Sequence, residues 1–120
     1  MESMSAVKEN NLGKIEISDN VIASIAGYSA IRCYGVVGMT FKNKTDGIAG
    51  LLKRESLSKG VKVIPKEDGF ELELHIMVEN GVNIAAIGDN IVSSVSYAVE
   101  DLAGIKVLGV NIFVDSVRVE

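Results

Sequence analysis

The chain has 120 residues, about half of them apolar, with one cysteine and a formal net charge of −4. That is enough for one domain with its own core, and a single thiol excludes an intrachain disulfide and fits a reducing compartment. No run reaches the ~18 consecutive apolar residues of a membrane span, and the opening residues lack the basic head and apolar body of a signal peptide.

Residues 1–12 are polar and without period, which predicts a disordered tail ahead of one domain over 13–120. From Gly13 to Ser18, Ile15 and Ile17 alternate with Lys14 and Glu16, the period of a half-buried strand. Ser18 or Asp19 then offers a capping oxygen to a helix over about Asn20 to Tyr34. Its apolar stripe is Ile22, Ile25, Ala26, Ser29 and Cys33, and Gly35 follows as a left-handed terminator. Val36, Val37 and Met39 read as a short buried strand. Between 40 and 60, Asp46 is placed to cap a short helix with Ile48, Leu51 and Leu52 inward, although Gly47 and Gly50 weaken it.

Val61 and Val63 begin a hairpin that turns at Asp68-Gly69, where both residues tolerate positive φ. Pro65 marks an edge strand. The return strand puts Leu72, Leu74, Ile76 and Val78 on one face, and Glu71, Glu73, His75 and Met77 on the other. Asn83 caps a second helix, Ile84 to Ala103, with a stripe of Ile84, Ile87, Ile91, Val95, Ala98 and Leu102, ended by Gly104. In the last strand Leu108, Val110, Ile112 and Val114 share a face. The apolar phase then shifts to Val117 and Val119, which predicts a bulge near Asp115-Ser116. The order is β-α-β-(short helix or loop)-β-β-α-β. The fold class expected is α/β, an α+β two-layer sandwich with two main helices on one face of a small mixed sheet.

Charge is uneven. Residues 42–66 hold seven basic and two acidic side chains, a local +5 that leaves −9 for the rest. An acidic body with a basic loop suggests head-to-tail pairing or an anionic partner. The candidate interaction surface is Arg32, Lys42, Lys44, Lys53, Arg54, Lys59 and Lys62.

Groups for chemistry are sparse. His75 is the only histidine and lies among carboxylates with no nucleophile at a complementary position, so it reads as an exposed structural residue. No spacing matches a zinc or calcium site. Cys33 falls on the helix stripe and reads as core. Two Gly-x-x-Gly tetrads, Gly35–Gly38 and Gly47–Gly50, raise a nucleic-acid reading, the second being the better candidate for its basic surroundings. No aromatic platform accompanies it. No catalytic residue, cofactor or metal is expected.

Several segments, in order, carry a resemblance. They are Gly13-Lys14-Ile15-Glu16-Ile17-Ser18, Val21-Ile22-Ala23-Ser24-Ile25-Ala26-Gly27, Tyr34-Gly35-Val36-Val37-Gly38-Met39, Gly60-Val61-Lys62-Val63, Gly81-Val82-Asn83-Ile84, Tyr97-Ala98-Val99-Glu100 and Val110-Asn111-Ile112. Over about residues 13–115 the chain resembles the alkaline shock protein family of envelope-stress proteins, its short cytoplasmic members above all. It departs at Arg32, where the family often has an acidic residue, and at Ala85, where it often has proline.

The resemblance implies a bacterial cytoplasmic protein without enzymatic activity, linked to envelope homeostasis under stress and membrane-proximal through a partner. It also implies self-association, and a membrane-anchored family relative or a kinase-like protein as partner. The function expected is therefore a non-enzymatic interaction or scaffold protein. The alternative is a nucleic-acid-binding module using the basic 42–66 region. Self-association is expected to involve the Val61–Pro65 edge and to weaken as salt rises.

Overall fold

One strand organises the molecule. In β6 (Phe70–Glu79) the alternating Leu72, Leu74, Ile76 and Val78 are fully buried, while Glu71, Glu73, His75 and Met77 stay half-buried on the opposite face. The computed structural model describes residues 5–42, 49–51 and 54–119. Along one edge of β6 runs β7 (Val107–Arg118), in parallel from Phe70↔Val107 to Glu79↔Arg118. The other edge is shared. β5 (Val61–Pro65) pairs antiparallel with its first half, and β3 (Val36–Lys42) pairs antiparallel with Ile76–Val78. β4 (Ala49–Leu51) extends the sheet beyond β3.

Two helices cover the apolar face. α1 (Asp19–Ile31) starts at Ser18, whose hydroxyl accepts from the Val21 amide at 3.3 Å. α2 (Ile84–Ala103) starts at Asn83, whose side chain accepts from the Ala86 amide at 3.0 Å, and ends at Gly104 with φ 70°. Ile22, Ala26 and Ala30 of α1, Ile87, Ile91, Val95 and Val99 of α2, and the inward row of β6 form one core; Ile25 and Ile112 pack on its margin. The α/β two-layer plan expected from the sequence, with a mixed sheet and both helices on one face, is the plan observed. Gly35 has φ 87°, and a Cβ there would overlap the Cδ1 atom of Ile87. Only glycine admits both the left-handed backbone and that approach.

Several expectations are corrected. Ser5–Asn10, read as tail, is strand β1, which pairs antiparallel with β2 (Gly13–Ser18). Single-strand periodicity hides it, because a two-stranded ribbon need not bury a face. This ribbon stands apart from the five-stranded sheet. Ser18 is both the last residue of β2 and the cap of α1, so the chain turns into the helix before β2 can join the sheet. Among the ribbon's described side chains only Ile17 reaches the core, and Ile15 is exposed.

Of the helix expected from Asp46, only Ala49–Leu51 falls within the described residues, and it is strand β4, with Gly50 opposite Phe41; Asp46, Ile48 and Leu52 lie outside them. The helical turn comes later, as a 3-10 helix over Arg54–Gly60 anchored by buried Leu57. At Asp68-Gly69 no positive φ is used. Gly69 serves a close approach instead: a Cβ would come 2.5 Å from the Lys106 carbonyl oxygen. The bulge expected near Asp115 is present, where the β6–β7 register shifts between Ile76/Val114 and Met77/Ser116.

Candidate functional site

Apart from Ile22, the buried side of α1 is made of small residues, Ala23, Ala26, Gly27 and Ala30. This lets the helix lie close to its neighbours. A Cβ on Gly27 would stand 3.1 Å from the Leu57 carbonyl oxygen, so the 3-10 helix packs on that flank. On the other flank lies α2, where the Ser29 hydroxyl donates to the Ser94 carbonyl oxygen at 3.3 Å. Gly35 meets Ile87 and Val82 at the start of α2, so the two helices run antiparallel.

The α2 stripe departs from expectation in a way that shapes this flank. Ile87, Ile91, Val95, Val99 and Ala103 are buried, a strict four-residue step. Such a step drifts about 40° around the axis each time. Ala98 and Leu102, expected inside, are carried outward, and Leu102 is 70% exposed.

The result is a groove of about 640 Å³ between the outer sides of α1 and α2. Its floor is small or half-buried: Ser29, Cys33, Ser94 and Ala98. Its rim is large and exposed: Tyr28, Arg32, Tyr34 (83% exposed), Asn90 and Leu102. The Arg32 guanidinium stands 5.6 Å from the centre of the Tyr28 ring, a cation–π contact. Among the described residues it has no carboxylate partner. Cys33 is buried as expected, with its thiol directed to the Ser29 carbonyl oxygen at 3.6 Å.

Arg32 is therefore at the groove, but the lysines named with it are elsewhere. Lys59 is exposed on the 3-10 helix that packs on the Gly27 flank of α1, and Lys62 is exposed on β5 opposite Glu73, on the sheet face away from the helices. Five residues separate Gly27 from Arg32, about 140° around a helix at ~100° per residue. Lys42 lies on β3 and Arg54 opens the 3-10 helix, their side chains outside what the structure describes. Lys44, Lys53 and the first half of the Gly47–Gly50 tetrad fall outside the described residues.

A second cluster sits on the sheet's other face. The Asp115 carboxylate accepts from the Thr40 hydroxyl at 3.0 Å and pairs with His75 Nδ1 at 2.9 Å, both at the same oxygen. The His75 ring stacks on Phe113, with centroids 4.9 Å apart. His75 is thus a partnered, half-buried residue and not an exposed one. Forty residues separate it from Asp115, and only the crossover through α2 joins them. The Asp115 bulge was the available signal. A nucleophilic triad needs its hydroxyl at the far imidazole nitrogen, whereas here hydroxyl and imidazole converge on one carboxylate oxygen. Among the described residues no group of three or more His, Cys, Asp or Glu side chains is arranged to hold a metal ion.

The segments that build both faces match a family model, that of the alkaline shock protein 23 family with cell envelope-related function, over residues 7–119. The chain belongs to the alkaline shock protein 23 family. The resemblance read from the sequence is to this same family. The chain is 38% identical over 117 residues to the uncharacterized protein YloU of Bacillus subtilis (strain 168), covering 97% of this chain and 98% of YloU. It is 35% identical over 108 residues to the uncharacterized protein Spy1614 of Streptococcus pyogenes serotype M6, covering 89% of each. The uncharacterized YqhY of Bacillus subtilis is more distant, at 26% over 111 residues, covering 92% of this chain and 82% of YqhY. No solved structure matches. Among the described residues of this alkaline shock family member, no helix is long and apolar enough to cross a membrane.

Proposed function

We propose that this alkaline shock family member is a non-enzymatic interaction protein, acting as a scaffold in cell-envelope homeostasis from the cytoplasmic side. The observation that carries the reading is the α1/α2 groove. Its rim of exposed tyrosines, an arginine and a leucine has the composition of a contact surface, where aromatic residues and arginine dominate binding energy. The His75–Asp115 pair supports the same reading by its geometry, since among the described residues no nucleophile is hydrogen-bonded to the other imidazole nitrogen. Complementation of a gene-deletion strain under envelope stress tests it. A folded Tyr28→Ala/Arg32→Glu variant is expected to fail, and His75→Gln to succeed. The reverse pattern, with a folded His75→Gln variant, would overturn this reading.

Self-association is a second reading, favoured by β7. Its outer edge has no partner strand among the described residues. Between its two register shifts, Gly109-Val110-Asn111-Ile112-Phe113-Val114 has no charge and no proline. Such an edge is a template for another strand. Pairing there is apolar and main-chain in character, so it persists at high salt, unlike an association through the basic loop. Sedimentation in low and high salt is expected to show a concentration-dependent oligomer in both, abolished by Asn111→Lys. A monomer in both salts ends this reading.

A further inference from the structure

Aligned on the Ser29–Ser94 hydrogen bond, the antiparallel helices give the groove a direction. Tyr34, Arg32 and Asn90 stand at one end, and Ile25, Ala98 and Leu102 at the other, with exposed Asp101 beside Leu102. On this alignment Arg32 lies opposite Ile91, and Asp101 is ten residues further along α2, about 15 Å at 1.5 Å per residue. One end is therefore cationic, the other anionic, and the floor between them is small, with the Ser29 hydroxyl already bonded to Ser94 and Ala98 beside them.

We infer that this groove docks one amphipathic α-helix of a partner protein, with a carboxylate of that helix at Arg32. The inference rests on the interaction-protein reading above and names the partner's chemistry. Three observations support it. Arg32 has no carboxylate partner among the described residues, in a chain of net charge −4, so its positive end is the complement of an acidic side chain. The span from Arg32 to Asp101 equals about ten residues of helix, close to three turns. The floor of Ser29, Ser94 and Ala98 leaves a furrow between two parallel ridges, into which a third helix fits a row of apolar side chains. A small ligand fits less well. Such ligands bury most of their surface, and here Tyr34 and Leu102 stand 83% and 70% exposed at the two ends. The polarity sets the partner's pattern: an acidic residue meets Arg32, a basic residue about ten positions away meets Asp101, and an apolar stripe lies between.

Photo-crosslinking from Asn90 in the full chain, in its native host, tests this, with exposed Glu16 on the β1–β2 ribbon as control. The crosslinked peptide is mapped, synthesised and titrated against the purified chain. The expected segment gains helical circular dichroism on binding. Arg32→Glu or Leu102→Glu in this chain is expected to weaken it about tenfold or more. Removing the peptide's acidic residue should then have little effect on the Arg32→Glu variant. Both positions are exposed, and an unchanged melting temperature confirms that the variants fold. A non-helical segment, a lipid or a second copy of this chain at Asn90 overturns the helix assignment and leaves the interaction reading in place. Crosslinks to protein from Glu16 alone, or none from either position, overturn the assignment too, and the second result also removes the interaction reading.

Discussion

A single carboxylate oxygen of Asp115 serves two donors, and one of them, the Thr40 hydroxyl, belongs to a fully buried residue. Replacing Asp115 by alanine leaves that hydroxyl and the His75 N–H without an acceptor. The expected loss is about 1–3 kcal/mol, the desolvation of stranded donors. Thr40→Val removes one stranded donor, so the double variant should lose less than the sum of the singles, with a coupling of at least about 0.5 kcal/mol. Denaturant midpoints measure both. Gly35 offers a second residue-scale test. Its left-handed φ of 87° costs an alanine about 1–2 kcal/mol by itself. Because the new Cβ also overlaps Ile87, Gly35→Ala should recover part of its loss when combined with Ile87→Val.

At the scale of elements, α2 shows what sequence reveals and what it hides. Both of its ends were legible, because Asn83 and Gly104 act on the backbone beside them and need no tertiary partner. The stripe was legible only from Ile87 to Val95; Ile84, expected inside, is exposed. Beyond Val95, Ala98-Leu102 and Val99-Ala103 are both apolar pairs at helical spacing. Which pair turns inward is settled by the sheet beneath, not by the helix. The groove was hidden for the same reason. Arg32 could be singled out as a departure, but Tyr28, Tyr34 and Leu102 had no signal to join them to it. β1 was missed because its only reward is pairing with β2. The β7 bulge was legible because a change of phase is itself a local pattern. Two truncations separate the stripes. Ile91→Ala should destabilise by about 2–5 kcal/mol, as for a large buried aliphatic. Leu102→Ala, at an exposed position, should stay within about 0.5 kcal/mol. Equal losses would mean that the four-residue step is wrong.

Across the whole molecule, stability is divided unequally. β6 is bonded along both edges and covered by both helices, while the β1–β2 ribbon belongs to a separate two-stranded sheet. An isolated ribbon is marginal in water. Its amides should therefore exchange with solvent by local opening, whereas those at Leu72, Leu74 and Ile76 should exchange only on global unfolding. Deleting residues 1–12 should leave the unfolding midpoint nearly unchanged; a large drop would show that the ribbon supports the core. The groove is lined by α1 and α2 and not by that ribbon, and it contains the only sulfhydryl in the sequence, Cys33. The unmodified protein thus has a built-in chemical clock. Its rate of alkylation by a small maleimide reports how often the furrow floor is open, and anything seated between the two helices will slow that clock without a single engineered label.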